Sequence, residues 1–416
     1  MSSGRVYVIG AGLAGLSAAV NLVARGARVT LIEGANQAGG RCRSYFDTAL
    51  DQVIDNGNHL VLSGNPAVHR YVQTIGALPR LQGPQHARFA FFDVTTGARW
   101  IIRPNDGPLA WWILAPARRV PGTHLGEYLA ILNLLGAKED ARVENVISCH
   151  GALWDKLLAP LLLAALNTDP RRASARLAAA VIRQTLFRGG RAYCPRIASP
   201  HLADAFVAPA LSFLEQHGVS VILGKRVRKL LFEDARIKGL ELAGQSIALE
   251  PQDKMVLAVP SWVATDLVPQ ICAPSGFRAI INGHFALPAP SGAEPIIGVI
   301  GGVAEWIFAF SDRLSVTVSG ADRLLDEDRD SLALRLWADV AAAHQLTCPL
   351  PRWQIVKERR ATFAATPKED SRRPGQITLW RNLVLAGDWV QTGLPATIEG
   401  ALRSGETAAE LILNAT

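Results

Sequence analysis

Uninterrupted apolar runs mark four short segments of the chain: Val6-Tyr7-Val8-Ile9, Val29-Thr30-Leu31-Ile32, Met255-Val256-Leu257-Ala258-Val259 and Leu383-Val384-Leu385-Ala386. Such runs, closed by glycine, proline or an acid, are the pattern of strands buried on both faces of a parallel sheet. A helical pattern separates the first two. Residues 68–208 turn mainly helical and rich in alanine and leucine, broken at Pro104, Pro108, Pro116, Pro121, Pro160 and Pro170, which predicts an inserted cap. A helix over 207–215 and strands over 219–223, 227–232 and 237–242 then return to the first domain. Segments 284–287, 296–300, 306–310, 314–319 and 353–358 predict an antiparallel sheet, with a helix near 328–345, able to floor a cavity. A last helix covers 398–413. The chain reads as α/β: a Rossmann-like domain from residues 1–67, 207–263 and 380–416, and a mixed helical and antiparallel-sheet substrate domain from 68–206 and 264–379. No repeat at a fixed period is visible.

The first strand runs into Gly10-Ala11-Gly12-Leu13-Ala14-Gly15. A G-x-G-x-x-G turn between strand and helix holds a pyrophosphate against backbone N–H groups at a helix N-terminus, where the helix dipole favours negative charge. Gly10 makes the turn, Gly12 admits the phosphate, Leu13 and Ala14 open the helix, and Gly15 lets helix and strand pack closely. Glu33, at the end of the second strand and followed by Gly34, is placed to accept from the adenosine ribose hydroxyls. A carboxylate there disfavours a 2′-phosphate.

Gly39-Gly40-Arg41 follows six residues after this acid and resembles the GG-x-R extension of the amine oxidase and carotenoid desaturase superfamily of flavoproteins. The resemblance implies an amine-oxidase-type FAD domain, with Gly40 letting the chain pass the cofactor and Arg41 neutralising pyrophosphate charge. It continues at the far end of the chain in Gly387-Asp388 and Thr397-Ile398-Glu399-Gly400-Ala401. There it implies that Asp388 reaches the ribityl or pyrophosphate region and that the Ile398 N–H, at a helix start after Thr397, meets the flavin pyrimidine edge. In the same superfamily the position of Val227 contacts adenine through its backbone, and the loop containing Gly57, Asn58 and His59 faces the flavin.

Three internal strings narrow the branch. Asp55-Asn56-Gly57-Asn58-His59-Leu60, Ala165-Leu166-Asn167-Thr168 and Trp306-Ile307-Phe308, with the chain length, are similar to the hydroxysqualene dehydroxylase family of bacterial hopanoid synthesis. That resemblance implies reduction of an allylic C30 alcohol to squalene, with hydride from reduced flavin and loss of the hydroxyl as water. Hydroxide leaves poorly, so a proton donor and a dry site are required. His59 is the leading candidate, since imidazole titrates near working pH; the other reading is a histidine packed beside the flavin. Asp55 orients it, acts alone in catalysis, or forms a turn. Trp306, Phe308, Phe310 and Trp389 line the cavity or fill the core, and Asn167 contacts substrate or merely ends a helix. The rivals are an oxidative carotenoid-type desaturase or amine oxidase, and a prenyl-lipid carrier without flavin. Thr397, where amine oxidases favour an aromatic, weakens the amine oxidase reading. Only one dinucleotide fingerprint is present, so electrons come from NADPH binding transiently or from a separate reductase.

Composition adds three constraints. The chain has 416 residues, 49% of them hydrophobic, enough for two domains sharing one ligand. Its net charge of +7 arises with 35 Arg against 8 Lys, a bias that suits pyrophosphate or anionic lipid, or reflects genome composition. The basic residues are dispersed, which argues against nucleic acid. Cys42, Cys149, Cys194, Cys272 and Cys348 stand apart with no metal-ligand spacing and read as reduced, mostly buried thiols, and the early first strand leaves no room for a leader, so a cytoplasmic location is expected. No apolar window is long enough to span a bilayer. Leu109-Ala110-Trp111-Trp112-Ile113-Leu114, followed by Arg118-Arg119, resembles an interfacial segment, giving peripheral contact with the cytoplasmic membrane; the alternative buries Trp111 and Trp112 in the cap.

Overall fold

The computed structural model describes residues 4–185 and 188–414. Five parallel strands form its first sheet in the order Ser220–Ile222, Arg28–Ile32, Arg5–Ile9, Lys254–Leu257, Leu383–Leu385. Val8 lies level with Leu31 on one side and Val256 on the other, and Val256 with Val384. These strands come from three distant parts of the chain, because each apolar run is buried on both faces only when the others flank it.

Val6, Val8, Leu31 and Val256 face helices Leu13–Ala24 and Ile398–Asn414. Each such side chain contributes roughly 1.5–3 kcal/mol when fully buried. The two helices pack at close range: a Cβ on Gly405 would stand 2.2 Å from the Ala14 carbonyl oxygen, and the Ser17 hydroxyl donates to the Leu402 carbonyl at 2.8 Å. The opposite face, with Tyr7, Ile9 and Met255, meets Leu230, Ile237 and Leu240. Those residues belong to an antiparallel meander, Val227–Glu233, Arg236–Leu242 and Gln245–Ala248. Of the strand block expected to rejoin the first domain, Ser220–Ile222 pairs with the parallel sheet and the rest covers its second face.

A second sheet has seven strands in the order Trp353–Phe363, Phe277–Phe285, Leu314–Val318, Trp306–Ala309, Ile296–Ile300, Phe89–Asp93, Arg99–Ile102. All neighbours are antiparallel except Ile296–Ile300 with Phe89–Asp93. Ile281, Phe285, Ile307, Val316 and Val318 pack on helix Arg329–His344, whose N-terminus is capped by the Asp328 carboxylate accepting from the Ser331 N–H at 3.0 Å. Trp306 and Phe308 lie on the other face, towards the cap.

The expectation of a mainly helical 68–208 is corrected. This segment contributes the strands Phe89–Asp93 and Arg99–Ile102 to the large sheet, and Leu81–Gln82 and Pro195–Ala198 to a small sheet with Leu60–Leu62. Its α-helices are Pro66–Thr74, Leu125–Ala130, Ala159–Leu166, Ala175–Gln184 and Leu202–Phe206. Aromatic Phe89, Phe91 and Phe92 fit a pleated, half-covered surface, while the prolines from 104 to 121 leave only single turns between. The cysteines are free; Cys42 and Cys194 are buried, but Cys272 and Cys348 are exposed, so burial is not general. No described helix is long and apolar enough to cross a membrane.

Candidate flavin site

The glycine turn is built by close approach. Gly10 has φ of +102°, and a Cβ there would stand 2.5 Å from the Ala258 carbonyl; on Gly15 it would stand 1.8 Å from the Gly10 carbonyl. Gly12 is different. Its φ is −73°, which any residue adopts, and a Cβ would meet nothing within 4 Å. Open space therefore lies against the start of helix Leu13–Ala24, and the N–H groups of Gly12 and Ala14 have no acceptor among the described residues. Glu33 is aimed by two backbone donors, Ala11 N–H at 2.7 Å and Ala35 N–H at 2.8 Å, leaving further lone pairs for a ligand. A Cβ on Gly34 would stand 3.3 Å from the Arg226 Cβ, which puts Gly34 beside Val227, the first residue of the meander.

The second glycine pair folds onto the first. The Gly39 N–H donates to the Ala11 carbonyl at 2.8 Å, and a Cβ on Gly40, whose φ is +56°, would stand 3.3 Å from the Gly12 Cα. Arg41 then pairs with Asp388, 347 residues away, at 2.7 Å. The Arg41 side chain keeps 42% of its surface accessible, and a guanidinium has further N–H donors to offer an anion.

The C-terminal half closes the same space. The Gly387 N–H donates to the Ser404 hydroxyl at 2.8 Å. Thr397 caps the last helix by accepting the Gly400 N–H at 3.0 Å, whereas the N–H groups of Ile398 and Glu399 find no acceptor among the described residues. Two helix starts, each with free N–H groups and partial positive charge, thus converge with Arg41. Glu399 serves another helix: its carboxylate accepts from the Ala67 and Val68 N–H groups at 3.2 and 3.0 Å.

The loop of Gly57, Asn58 and His59 is pinned to the seven-stranded sheet. Asn58 accepts nothing through its side chain but donates to the Val316 carbonyl at 3.3 Å and the Thr317 hydroxyl at 3.2 Å. Its N–H donates to Asn282 Oδ1 at 3.3 Å, and a Cβ on Gly57 would stand 3.0 Å from Asn282 Nδ2. His59 is half-buried and has no hydrogen-bond partner among the described residues. Burial and the nearby Arg41 charge hold its imidazole down to about 4. The expected titration near neutral pH is therefore corrected: at pH 7 His59 is neutral, with one N–H to donate.

Asp55, expected to orient His59 or act in catalysis, is instead a strut. It is 2% exposed and accepts from the Ser44 hydroxyl at 2.6 Å, the Leu202 N–H at 2.9 Å and Arg313 Nη2 at 3.2 Å. Asn167 is likewise spent. It ends helix Ala159–Leu166 with φ of 46°, donates to the Arg278 carbonyl and Thr362 hydroxyl, and accepts the Gly320 N–H at 2.6 Å. It fastens the cap to the sheet. Trp389 is buried and donates its indole N–H to the Val259 carbonyl at 2.9 Å, a structural contact in place of the expected cavity wall. Trp306 packs edge-on to Phe91 at 5.7 Å, with Phe308 buried beside it. Arg313, Asn282 and Thr317 escaped the sequence reading. Their one signal is polar residues alternating with apolar ones in strands buried on both faces: Asn282 and His284, then Ser315 and Thr317.

These donors, the open space at Gly12 and the ribose-ready carboxylate of Glu33 fit a flavin dinucleotide. A model of the flavin containing amine oxidoreductase family matches residues 13–413. Hydroxysqualene dehydroxylases of Rhodopseudomonas palustris and Sinorhizobium fredii are each 49% identical to the chain over 411 residues, which is 99% of this chain and 98% and 99% of theirs. The chain belongs to the hydroxysqualene dehydroxylase family. A putrescine oxidase structure with putrescine bound shares the fold, at a TM-score of 0.71 and 15% identity over 99% of both chains. Family membership makes the chain an FAD-dependent oxidoreductase.

Arg41→Ala is expected to weaken FAD retention by about tenfold or more, since a charge-assisted contact to pyrophosphate contributes roughly 1.5–3 kcal/mol. Flavin absorbance before and after gel filtration in salt measures it.

Proposed function

We propose that this chain reduces hydroxysqualene to squalene with FAD in hopanoid synthesis. The observation that carries the reading is near-half identity to named hydroxysqualene dehydroxylases along the entire length, together with both halves of a flavin site. Residues 1–67, 207–263 and 380–416 hold the cofactor, and 68–206 with 264–379 enclose the substrate. Gly12, Ala14, Arg41 and Ile398 hold FAD by its charged and polar edges, Glu33 the ribose, and Val227 the adenine end. When bound and reduced, FAD supplies hydride. The residues of the chain supply the rest: Trp306 and Phe308, on the cap-facing side of the large sheet, keep the hydrocarbon dry, and the neutral His59 offers an N–H that orients the hydroxyl group.

The decisive experiment is anaerobic incubation of the reduced holoprotein with hydroxysqualene. Squalene as product supports the reading; no turnover, or oxidation of a polyene instead, removes it. Colourless protein with bound prenyl lipid would support the carrier.

A C30 substrate arrives from lipid, and the loop at 109–119 presents the chemistry for reaching it. Leu109, Trp111 and Leu114 are 60%, 62% and 51% exposed, beside the exposed Arg118 and the half-buried Arg119. Apolar tips rimmed by cations suit an anionic lipid surface. Trp112 is excluded from this role: it is 2% exposed and packs edge-on to Tyr128 at 5.7 Å. Trp111→Ser combined with Leu114→Ser is expected to cut co-sedimentation with phosphatidylglycerol vesicles several-fold at unchanged activity towards detergent-dispersed substrate. Unaltered sedimentation would dismiss the surface.

A further inference from the structure

Residues 84–88 and 103–106, with Arg118, enclose a cavity of about 510 Å³ that opens to solvent. That volume falls within the roughly 300–1,000 Å³ of small-molecule sites, and none of the lining residues belongs to the flavin site. Resting on the reading of residues 109–119 as a lipid-facing loop, we propose that this cavity binds the phosphodiester headgroup of an anionic phospholipid.

Its walls are fixed by the fold. Residues 105–107 lie against two glycines: a Cβ on Gly189 would stand 2.3 Å from the Gly107 carbonyl oxygen, and the Gly190 N–H donates to the Asn105 carbonyl at 2.9 Å. On the other segment, the Pro84 carbonyl accepts from Arg196 Nη1 at 2.7 Å. The cavity also shares its parts with the apolar loop. Asn105 Nδ2 donates to the Leu109 carbonyl at 2.7 Å, and Asn105 Oδ1 accepts the Trp112 N–H at 3.2 Å. Arg118, four residues after the exposed Leu114, donates through Nη2 to the Arg103 carbonyl at 2.7 Å. Cavity wall and apolar tips are therefore one structural unit.

The charge balance favours an anion. Of the three arginines in the lining, Arg88 is paired with Glu294. The Arg103 side chain has no hydrogen-bond or ion-pair partner among the described residues, and Arg118 has no carboxylate there. The one carboxylate of the lining, Asp106, is engaged by His86 at 3.2 Å and by Arg191 at 3.6 Å, which offsets its repulsion of a ligand. Guanidinium forks match phosphate oxygens in pairs. Pro84, Ala87 and Pro104 add apolar wall, which a bare phosphate leaves unused and the glycerol and first methylenes of a lipid cover. On a bilayer, the tips at Leu109, Trp111 and Leu114 enter the acyl boundary while the arginines stay at headgroup level. A seated headgroup thus orients the cap towards the bilayer that holds the substrate.

Dihexanoyl phosphatidylglycerol, kept monomeric below its micellar concentration, reads the cavity without a membrane. Titration calorimetry with the holoprotein at about 0.15 M salt is expected to show saturable binding at one site. Arg103→Gln, which breaks no contact of that side chain within the protein, is expected to weaken binding about tenfold, and the double variant with Arg118→Gln further, with flavin content and thermal unfolding as in wild type. Glycerophosphoglycerol, the same headgroup without acyl chains, is expected to bind about tenfold less tightly for want of apolar contact. Equal affinity for it would assign the site to a soluble phosphate ester and overturn the lipid. Absence of saturable binding, or wild-type affinity in the double variant, would overturn the site. The loop is judged apart, by vesicle sedimentation of the Trp111→Ser, Leu114→Ser variant: a sedimentation loss without calorimetric binding refutes the cavity alone, and calorimetric binding with unaltered sedimentation refutes the loop alone.

Discussion

Gly12→Asp is expected to yield a protein that folds normally and purifies without flavin. The backbone at Gly12, with φ of −73° and ψ of 176°, lies in the extended region open to any residue, and a Cβ there meets no atom within 4 Å. The substitution therefore costs the fold little. It places a carboxylate where the pyrophosphate would rest against the helix start, replacing a favourable dipole contact with like-charge repulsion and steric overlap. FAD affinity is expected to drop at least about 100-fold, or about 2.7 kcal/mol. Flavin-to-protein absorbance ratio and chemical unfolding of the FAD-free forms separate the two effects. Gly15→Asp would make a poor control, because its Cβ would lie 1.8 Å from the Gly10 carbonyl and the strand-to-helix turn would have to open. If Gly12→Asp retained flavin at the wild-type ratio, the cradle would be elsewhere.

Arg313→Met is expected to destabilise the protein by about 3–5 kcal/mol, the range for stranding one partner of a buried ion pair. Arg313 is 0% exposed. It holds Asp312 at 2.9 Å and Asp55 at 3.2 Å, and lies over the Phe310 ring at 4.0 Å. Methionine replaces the stem and the ring contact but leaves Asp55 buried without a cation. Burial already raises the Asp55 pKa in the native protein, and removal of Arg313 raises it further. A carboxyl whose folded pKa exceeds its unfolded value resists ionisation in the native state, so the variant loses stability as pH climbs through that range. Acidification towards pH 5 is accordingly expected to narrow its deficit in denaturant midpoint relative to wild type. Asp55→Asn combined with Arg313→Met is expected to recover much of the loss, because no uncompensated charge remains. A deficit independent of pH and of Asp55 would show that packing around Phe310, rather than the ion pair, is what Arg313 provides.

These two residues also divide what was legible in the amino-acid order from what was not. Gly12 belongs to a signal contained within forty residues: strand, glycine turn, helix, strand, acid, second glycine pair. Each part is dictated by local geometry, since only glycine turns at φ of +102° or tolerates a carbonyl against its Cα. The parallel strands were equally readable, because burial on both faces demands continuous apolar runs. Four of the five expected antiparallel segments were legible from their alternation, whereas the strand expected over 284–287 runs instead over Phe277–Phe285. Phe89–Asp93 and Arg99–Ile102 were not, since a short aromatic run among alanine-rich helices is ambiguous until a sheet edge exists to receive it.

Asp55 shows the limit more sharply. Its place before a glycine turn beside a histidine reads as chemistry, but its role is set by Arg313, 258 residues away. Trp111 and Trp112 are adjacent and chemically identical, yet one is at the surface and the other in the core. By itself the sequence determined the cofactor class and the strands that build its cradle, because those rest on short-range backbone constraints and apolar periodicity, while the family followed from the resemblance of three short strings. Only the tertiary structure decided which polar groups are buried and who partners them, because desolvation and pairing are properties of contacts between distant segments.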